Sequence, residues 1–134
     1  MLYLTYFVAA SIIFLVADAI MLRSVIQPLF ARYLGDQLYE GGFRMTPAIL
    51  FYLVHMIGIF YFAALPAFRA DAPGLALLNG AILGLVAYGT YELTSWAVMR
   101  DWHPQMVAVD LAWGTILTGG AAWGGVLAAR AIAG

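Results

Sequence analysis

The chain has 134 residues, of which 65% are hydrophobic and only 10% are charged. A soluble domain carries about 25% charged residues, so the composition excludes a water-soluble enzyme and predicts an integral membrane protein. The formal net charge is -1, which gives no basic surface for nucleic acid, and the absence of cysteine excludes thiolate-ligated metal.

Four stretches are apolar enough to cross the ~30 Å hydrocarbon core, which needs ~20 helical residues. They cover about residues 2–22, 47–65, 75–99 and 104–129. Thr46-Pro47 and His103-Pro104 resemble a capping residue followed by proline at the start of a helix. The sequence therefore predicts an all-α membrane protein, a single integral membrane domain over residues 1–134 in which four transmembrane helices form an antiparallel bundle.

The long connection between the first two spans has a helical pattern of its own. Over about residues 28–40, apolar side chains recur at helical spacing, and Arg32, Asp36 and Glu40 lie on the other side. This pattern predicts a short amphipathic interfacial helix in the headgroup region. A surface helix that packs on the bundle explains the pattern equally well.

The arginines predict an orientation through the excess of positive charge in cytoplasmic connections. The connections between spans one and two and between spans three and four hold four of them, and the opposite side holds Arg69 and Arg130. We expect the first and third connections to be cytoplasmic and both termini to lie outside.

Four ionisable residues fall inside the spans: Asp18, His55, Glu92 and Asp110. Glu92 and Asp110 lie nine residues before and after Asp101, which places both ~13 Å from the same turn at 1.5 Å per residue. His55 and Asp18 are expected at comparable depth in the same half of the bilayer. Charges in hydrocarbon are costly and tend to face a cavity or a partner, so we predict that the four converge.

The same helix faces add Tyr88, one turn before Glu92, and Trp113, one turn after Asp110. The predicted binding or proton-handling cluster therefore comprises Asp18, His55, Tyr88, Glu92, Asp110 and Trp113. The alternative is purely structural: each acid is satisfied by nearby hydroxyl groups, and polar contacts hold the helices together.

Three uses suit such a cluster. Neighbouring carboxyls in a low dielectric share protons or take up a cation, and a polar cluster also anchors the head of a lipid-like ligand. A metal site is disfavoured because the Glu-x-x-His pairing of di-metal bundles is missing. The sequence identifies no cofactor and no catalytic residue.

Small residues form stripes on the last two spans: Ala76, Gly80 and Gly84 on the third, and Ala112, Gly120, Gly124 and Ala128 on the fourth. Such rows let helix backbones approach closely in lipid. We expect these spans to pack as a hairpin that brings Glu92 near Asp110; the alternative is a homodimer interface.

Two stretches carry a family resemblance, GAILGLVAYGTYELTSWAVMRDW at residues 80–102 and VDLAWGTILTGGAAW at residues 109–123. They resemble a family of small bacterial predicted inner-membrane proteins known only as a domain of unknown function. The likeness extends over the whole chain and is most specific at Tyr88–Glu92 and Asp110–Thr115. It implies a four-span protein of the bacterial inner membrane and no catalytic role.

Three functions remain open at this point. The first is a protein whose intramembrane carboxylate and histidine cluster binds or conducts a proton, cation or lipid-like ligand, with transport favouring a homodimer. The second is a membrane enzyme that acts on a lipid or isoprenoid by carboxylate and histidine acid–base chemistry. The third is a structural subunit of a larger membrane complex.

Overall fold

The computed structural model describes residues 1–134, and it is helical throughout with no strands. Four helices are long and apolar enough to cross a membrane: α1 (Leu2–Gln37), α2 (Met45–Ala70), α3 (Pro73–Val98) and α4 (Pro104–Ala133). The predicted all-α class and the predicted number of spans are confirmed.

The separate interfacial helix predicted over residues 28–40 is not confirmed. Instead, α1 continues from the first span through a π-helical turn at Leu22–Ile26 into an α-helical extension, Gln27–Leu34, and a 3-10 turn, Gly35–Gln37. The wider turn lies directly before Pro28, whose ring is incompatible with regular hydrogen bonding one turn back. The helix thus accommodates the proline without ending.

The extension packs on protein, which explains its amphipathic pattern. Leu29 and Leu34 form a small core with Trp102, Met106 and Val107 at the start of α4. These apolar side chains are therefore buried by the bundle, as in the alternative explanation of the pattern.

A second π-helical turn, Phe60–Ala64, interrupts α2 directly before Pro66. Proline has no N–H group, so position 66 cannot donate the regular helical hydrogen bond to the carbonyl of Phe62. The side chain of Asn79 on α3 donates to this carbonyl at 3.2 Å. A polar side chain of the neighbouring helix thus compensates for the proline, as is common within membranes.

Helices α3 and α4 make the most extensive contact in the molecule. A β-carbon added at Gly80 would lie 2.9 Å from the Cα of Gly119, and one added at Gly84 would overlap the carbonyl oxygen of Gly114. The predicted stripe on the third span and the predicted hairpin are confirmed.

The stripe predicted on the fourth span was wrong in register. A β-carbon at Gly120 meets nothing within 4 Å, and one at Gly124 meets Ile13 of α1. The face that packs on α3 instead includes Gly114 and Gly119. Small residues are so frequent along α4 that several faces satisfy the same spacing.

The main core lies between α1 and α4. In the first part of α1, Leu2–Met21, the buried residues are Tyr6, Ala10, Phe14 and Asp18, one every four residues. The first three pack with buried residues of α2 and α4 in one apolar cluster. Since Asp18 ends this stripe, the packing of α1 directs a carboxyl group into the molecule.

Polar contacts at the helix ends fix the connections. Arg130 pairs with Asp71, and Arg100 pairs with Asp101, which also accepts a hydrogen bond from Gln37 of α1 at 2.8 Å. The pKa of the Asp101 carboxyl lies below its usual value because Arg100 and, secondly, Gln37 hydrogen-bond to its charged form.

Of the two helix starts for which a capping residue is expected, only one has a side-chain cap in the structure. His103 caps α4, since its Nδ1 accepts from the backbone N–H of Gln105 at 3.0 Å. Helix α2 begins at Met45, before Thr46, and no side chain caps it.

Candidate functional site

A large cavity opens where the first half of α2 diverges from the bundle. The backbone of Met45–Ile59 makes no extensive contact with the other helices, whereas the following turn packs on α3 and α4. The resulting space has a volume of about 990 Å³, near the upper end of the ~300–1,000 Å³ found for small-molecule sites. Fourteen of its twenty lining residues are hydrophobic.

Asp18 lies at the wall of this cavity and is held from two other helices. Tyr52 of α2 donates its hydroxyl to Oδ2 at 2.6 Å. Trp113 of α4 donates its indole N–H to Oδ1 at 3.1 Å. Both oxygens therefore accept a hydrogen bond from a neutral donor, and no arginine or histidine forms a salt bridge with this carboxyl group.

Asp110 of α4 also lines the cavity and is only 8% exposed. Its neighbour on α3 is Glu92, which lies behind it, fully buried and outside the cavity lining. Trp102 donates its indole N–H to Glu92 Oε1 at 3.0 Å, while Oε2 has no hydrogen-bond partner. The structure thus brings the two acids together, and only Asp110 reaches the open space.

His55 is adjacent to this group but does not line the cavity. Its Nε2 lies 3.1 Å from the hydroxyl oxygen of Thr118, and its ring stacks on Phe51 with centroids 5.0 Å apart. Edge contacts with Phe14 and Tyr88 complete its surroundings. The imidazole is therefore held within the packing of α2 against α4 and forms no salt bridge with a carboxyl group.

Tyr88 lines the cavity together with many other aromatic residues. The full aromatic set is Phe30, Tyr39, Phe43, Phe51, Tyr52, Tyr88 and Tyr91. The charged residues that line it are Asp18, Glu40, Arg44 and Asp110. The cavity thus combines apolar and aromatic walls with three acidic groups and one basic group.

The six predicted site residues divide into two sets. Asp18, Tyr88 and Asp110 line the cavity, and His55, Glu92 and Trp113 lie behind this lining. No group of three or more His, Asp or Glu residues is arranged to hold a metal ion.

Three partners of the buried polar groups were not predicted from the sequence. Tyr52 is one turn from His55 but bonds Asp18, and Thr118 meets His55. Trp102 has the position of a membrane-interface tryptophan, yet it is 7% exposed and bonds Glu92. Trp102 follows Glu92 by only ten residues across a tight turn, and this short separation could have predicted the hydrogen bond between them.

Comparison with known proteins identifies a family for this chain. A search of curated proteins and a search of solved structures return no match. The family model described as "Predicted membrane protein (DUF2177)" matches residues 3–127, nearly the whole chain. The chain therefore belongs to this family of predicted membrane proteins, whose function is unknown.

Proposed function

We propose that this protein binds lipophilic organic cations in the cavity that α1, α2 and α3 form with Asp110 of α4. The observation that carries the proposal is that two buried carboxyl groups without a cationic partner, Asp18 and Asp110, line a largely apolar space of about 990 Å³. A positively charged head would be complementary to the acids, and an apolar tail would be complementary to the walls.

The aromatic lining supports an ammonium-type head in particular. Seven of the twenty lining residues are Phe or Tyr, and aromatic faces attract ammonium groups, most strongly where water is excluded. Arg44 is the one basic residue among the lining groups. An anionic lipid head would meet three acidic residues and one basic residue in this lining, so charge complementarity favours the cation.

Binding is favoured over catalysis by the position of His55. Acid–base chemistry with a carboxyl partner requires the imidazole to face the substrate. Here His55 meets Thr118 and three aromatic rings, and it is not part of the cavity lining. The cavity is formed by one chain, so binding does not require the predicted homodimer, which stays a prediction.

The test uses the purified chain in dodecyl maltoside micelles and dodecyltrimethylammonium as probe, with binding measured by isothermal titration calorimetry. The micelle supplies a large excess of a neutral amphiphile with a tail of the same length. Binding of the probe above that background is therefore due to its positively charged head. We expect Asp18→Asn and Asp110→Asn each to weaken binding by about thirtyfold, or about 2 kcal/mol.

The matched control is Asp36→Asn, which removes the same charge from an exposed residue outside the cavity. It should bind like the unaltered protein. Absence of binding above empty micelles, or equal affinity in all three variants, would contradict the proposal.

For localisation we propose the inner membrane, with the connection between α1 and α2 and that between α3 and α4 in the cytoplasm. The support is the excess of arginine in the segments between the predicted spans on this side, residues 23–46 and 100–103, which hold four arginines against two on the opposite side. The cavity is lined in part by Leu38–Arg44, so it would then lie in the cytoplasmic half of the bilayer.

A further inference from the structure

Glu92 has one buried carboxyl oxygen for which the protein provides no hydrogen-bond donor. The residue is fully buried, and its Oε1 accepts the indole N–H of Trp102 at 3.0 Å. Its Oε2 is enclosed and has no donor. A buried carboxylate oxygen without a hydrogen bond is costly, which makes such an atom rare in native structures.

The group next to Glu92 on α4 is another carboxyl, that of Asp110. It is more than nine-tenths buried and accepts no hydrogen bond from an N–H or O–H donor of the protein. Two carboxyl groups contain only acceptor oxygens when both are ionised. A proton between them supplies the missing donor and removes the repulsion of two like charges in a low dielectric.

We infer that Glu92 and Asp110, the acid pair, share one proton, and that an organic cation entering the cavity displaces it. This inference rests on the proposed cation site. Before binding, Glu92 carries the proton and donates it to the Asp110 carboxylate. After binding, both groups are carboxylates, the cation lies beside Asp110, and the proton has gone to water, so the net charge of the site is unchanged.

Asp110 and Glu92 have different roles in this inference because only one of them reaches the cavity. Asp110 lines the cavity and Glu92 does not, so the cation meets Asp110 while Glu92 holds the proton. The ionisable groups that face the acid pair are Asp18 of α1 and Tyr88 and Tyr91 of α3, and none of them carries a positive charge that could take the place of the proton. From α2, His55 contacts Tyr88 and Thr118, and Tyr52 bonds Asp18.

The experiment measures proton release in a weakly buffered maltoside solution containing a pH indicator dye. Dodecyltrimethylammonium is added to the protein, and binding is measured in parallel by calorimetry. We expect up to one proton to be released per cation bound, and the affinity to rise by up to about tenfold per pH unit where the pair is protonated. Asp36→Asn should release the same number of protons.

Glu92→Gln tests the assignment directly, because its amide N–H₂ donates permanently to Asp110 and no proton is available for exchange. We expect no release in this variant and an affinity that no longer depends on pH. Infrared difference spectroscopy on the unaltered protein gives a second measurement that needs no variant. The C=O stretch of a protonated carboxylic acid should disappear when the cation binds.

The outcomes separate this inference from the proposed function. Cation binding without proton release and without loss of the infrared band would overturn the shared proton and leave the cation site intact. Undiminished release from Glu92→Gln would equally exclude Glu92 as the proton carrier. Absence of binding in the unaltered protein would remove both proposals.

Discussion

At the scale of single residues, the contact between α3 and α4 depends on glycines that have no room for a side chain. A β-carbon at Gly84 would overlap the Gly114 carbonyl oxygen and lie 2.8 Å from the Cβ of Thr118. Backbone atoms cannot move aside as a flexible side chain does, so a substitution here must push the helices apart. The same contact brings Glu92 beside Asp110, which links packing to the site.

We predict that Gly84→Ala destabilises the protein by about 1–3 kcal/mol, the usual cost of overpacking. The matched control is Gly120→Ala on α4, where an added β-carbon meets nothing within 4 Å. It should be neutral or slightly stabilising, because alanine favours the helix over glycine. Thermal unfolding in maltoside, followed by circular dichroism, compares the two. Equal midpoints would show that the contact is looser than described.

Trp102 also acts at this scale, because its indole N–H is the only donor to Glu92. Trp102→Phe keeps most of the ring contact with Phe30 and Tyr91 but removes the donor. We expect a loss of stability of about 1–3 kcal/mol.

The control for the smaller ring is Trp96→Phe, since Trp96 is 46% exposed and makes no side-chain hydrogen bond in the structure. Both variants are compared by thermal unfolding. A cost for Trp102→Phe no greater than that of the control would mean that the hydrogen bond to Glu92 contributes nothing.

At the scale of whole helices, prolines lie next to both π-helical turns. In α2, Pro66 deprives the Phe62 carbonyl of its regular donor, and Asn79 of α3 replaces it. In α1, the π-helical turn before Pro28 lets the helix continue, so that its extension packs on Trp102 and Met106 in the small core described above. Each irregular turn therefore changes which residues the following segment presents to its neighbours.

The interaction of Asn79 with Phe62 should depend on Pro66. Asn79→Leu keeps the branched shape of the side chain and removes the donor, and we expect a loss of about 0.6 kcal/mol and at most about 1.7, as for other hydrogen bonds between membrane helices. In a Pro66→Ala background, the restored N–H should make the same substitution nearly neutral. A double-mutant cycle in maltoside measures this coupling, and additive effects would contradict it.

At the scale of the whole molecule, the apolar surface faces outward and the polar groups face inward or lie at the ends. Side chains such as Val54 and Ile57 of α2 are exposed, which suits a lipid environment. The two salt bridges involve the connections after α2 and α3 and the end of α4. The acidic cavity is consequently the main polar feature within the spans.

The proposed orientation can be tested because the chain has no cysteine of its own. Single cysteines are introduced at two exposed positions, Asp36 in the last turn of α1, beside the first connection, and Ala70 at the end of α2, beside the second. In intact bacterial cells expressing the chain, a membrane-impermeant maleimide should label Ala70→Cys, while Asp36→Cys should react only after permeabilisation. The opposite pattern would reverse the topology and place the cavity in the outer half of the bilayer.

The sequence by itself determined the membrane environment, the four spans and the two acids at equal distances from one turn. These features depend on local composition and on position along the chain, since hydropathy adds up over ~20 residues and helical rise converts spacing into depth. The pairing of Glu92 with Asp110 was predictable for the same reason, because the two lie symmetrically about a tight turn.

Only the tertiary structure decided which way each helix face points. The glycines of α4 that meet α3, the continuation of α1 through Pro28 and the indole donors at Asp18 and Glu92 all depend on helix rotation and irregular turns. Rotation is set by how side chains of different helices interlock, and α4 has small residues on several faces, so spacing alone could not choose among them. The cavity follows from the same cause, since it exists only where α2 departs from its neighbours.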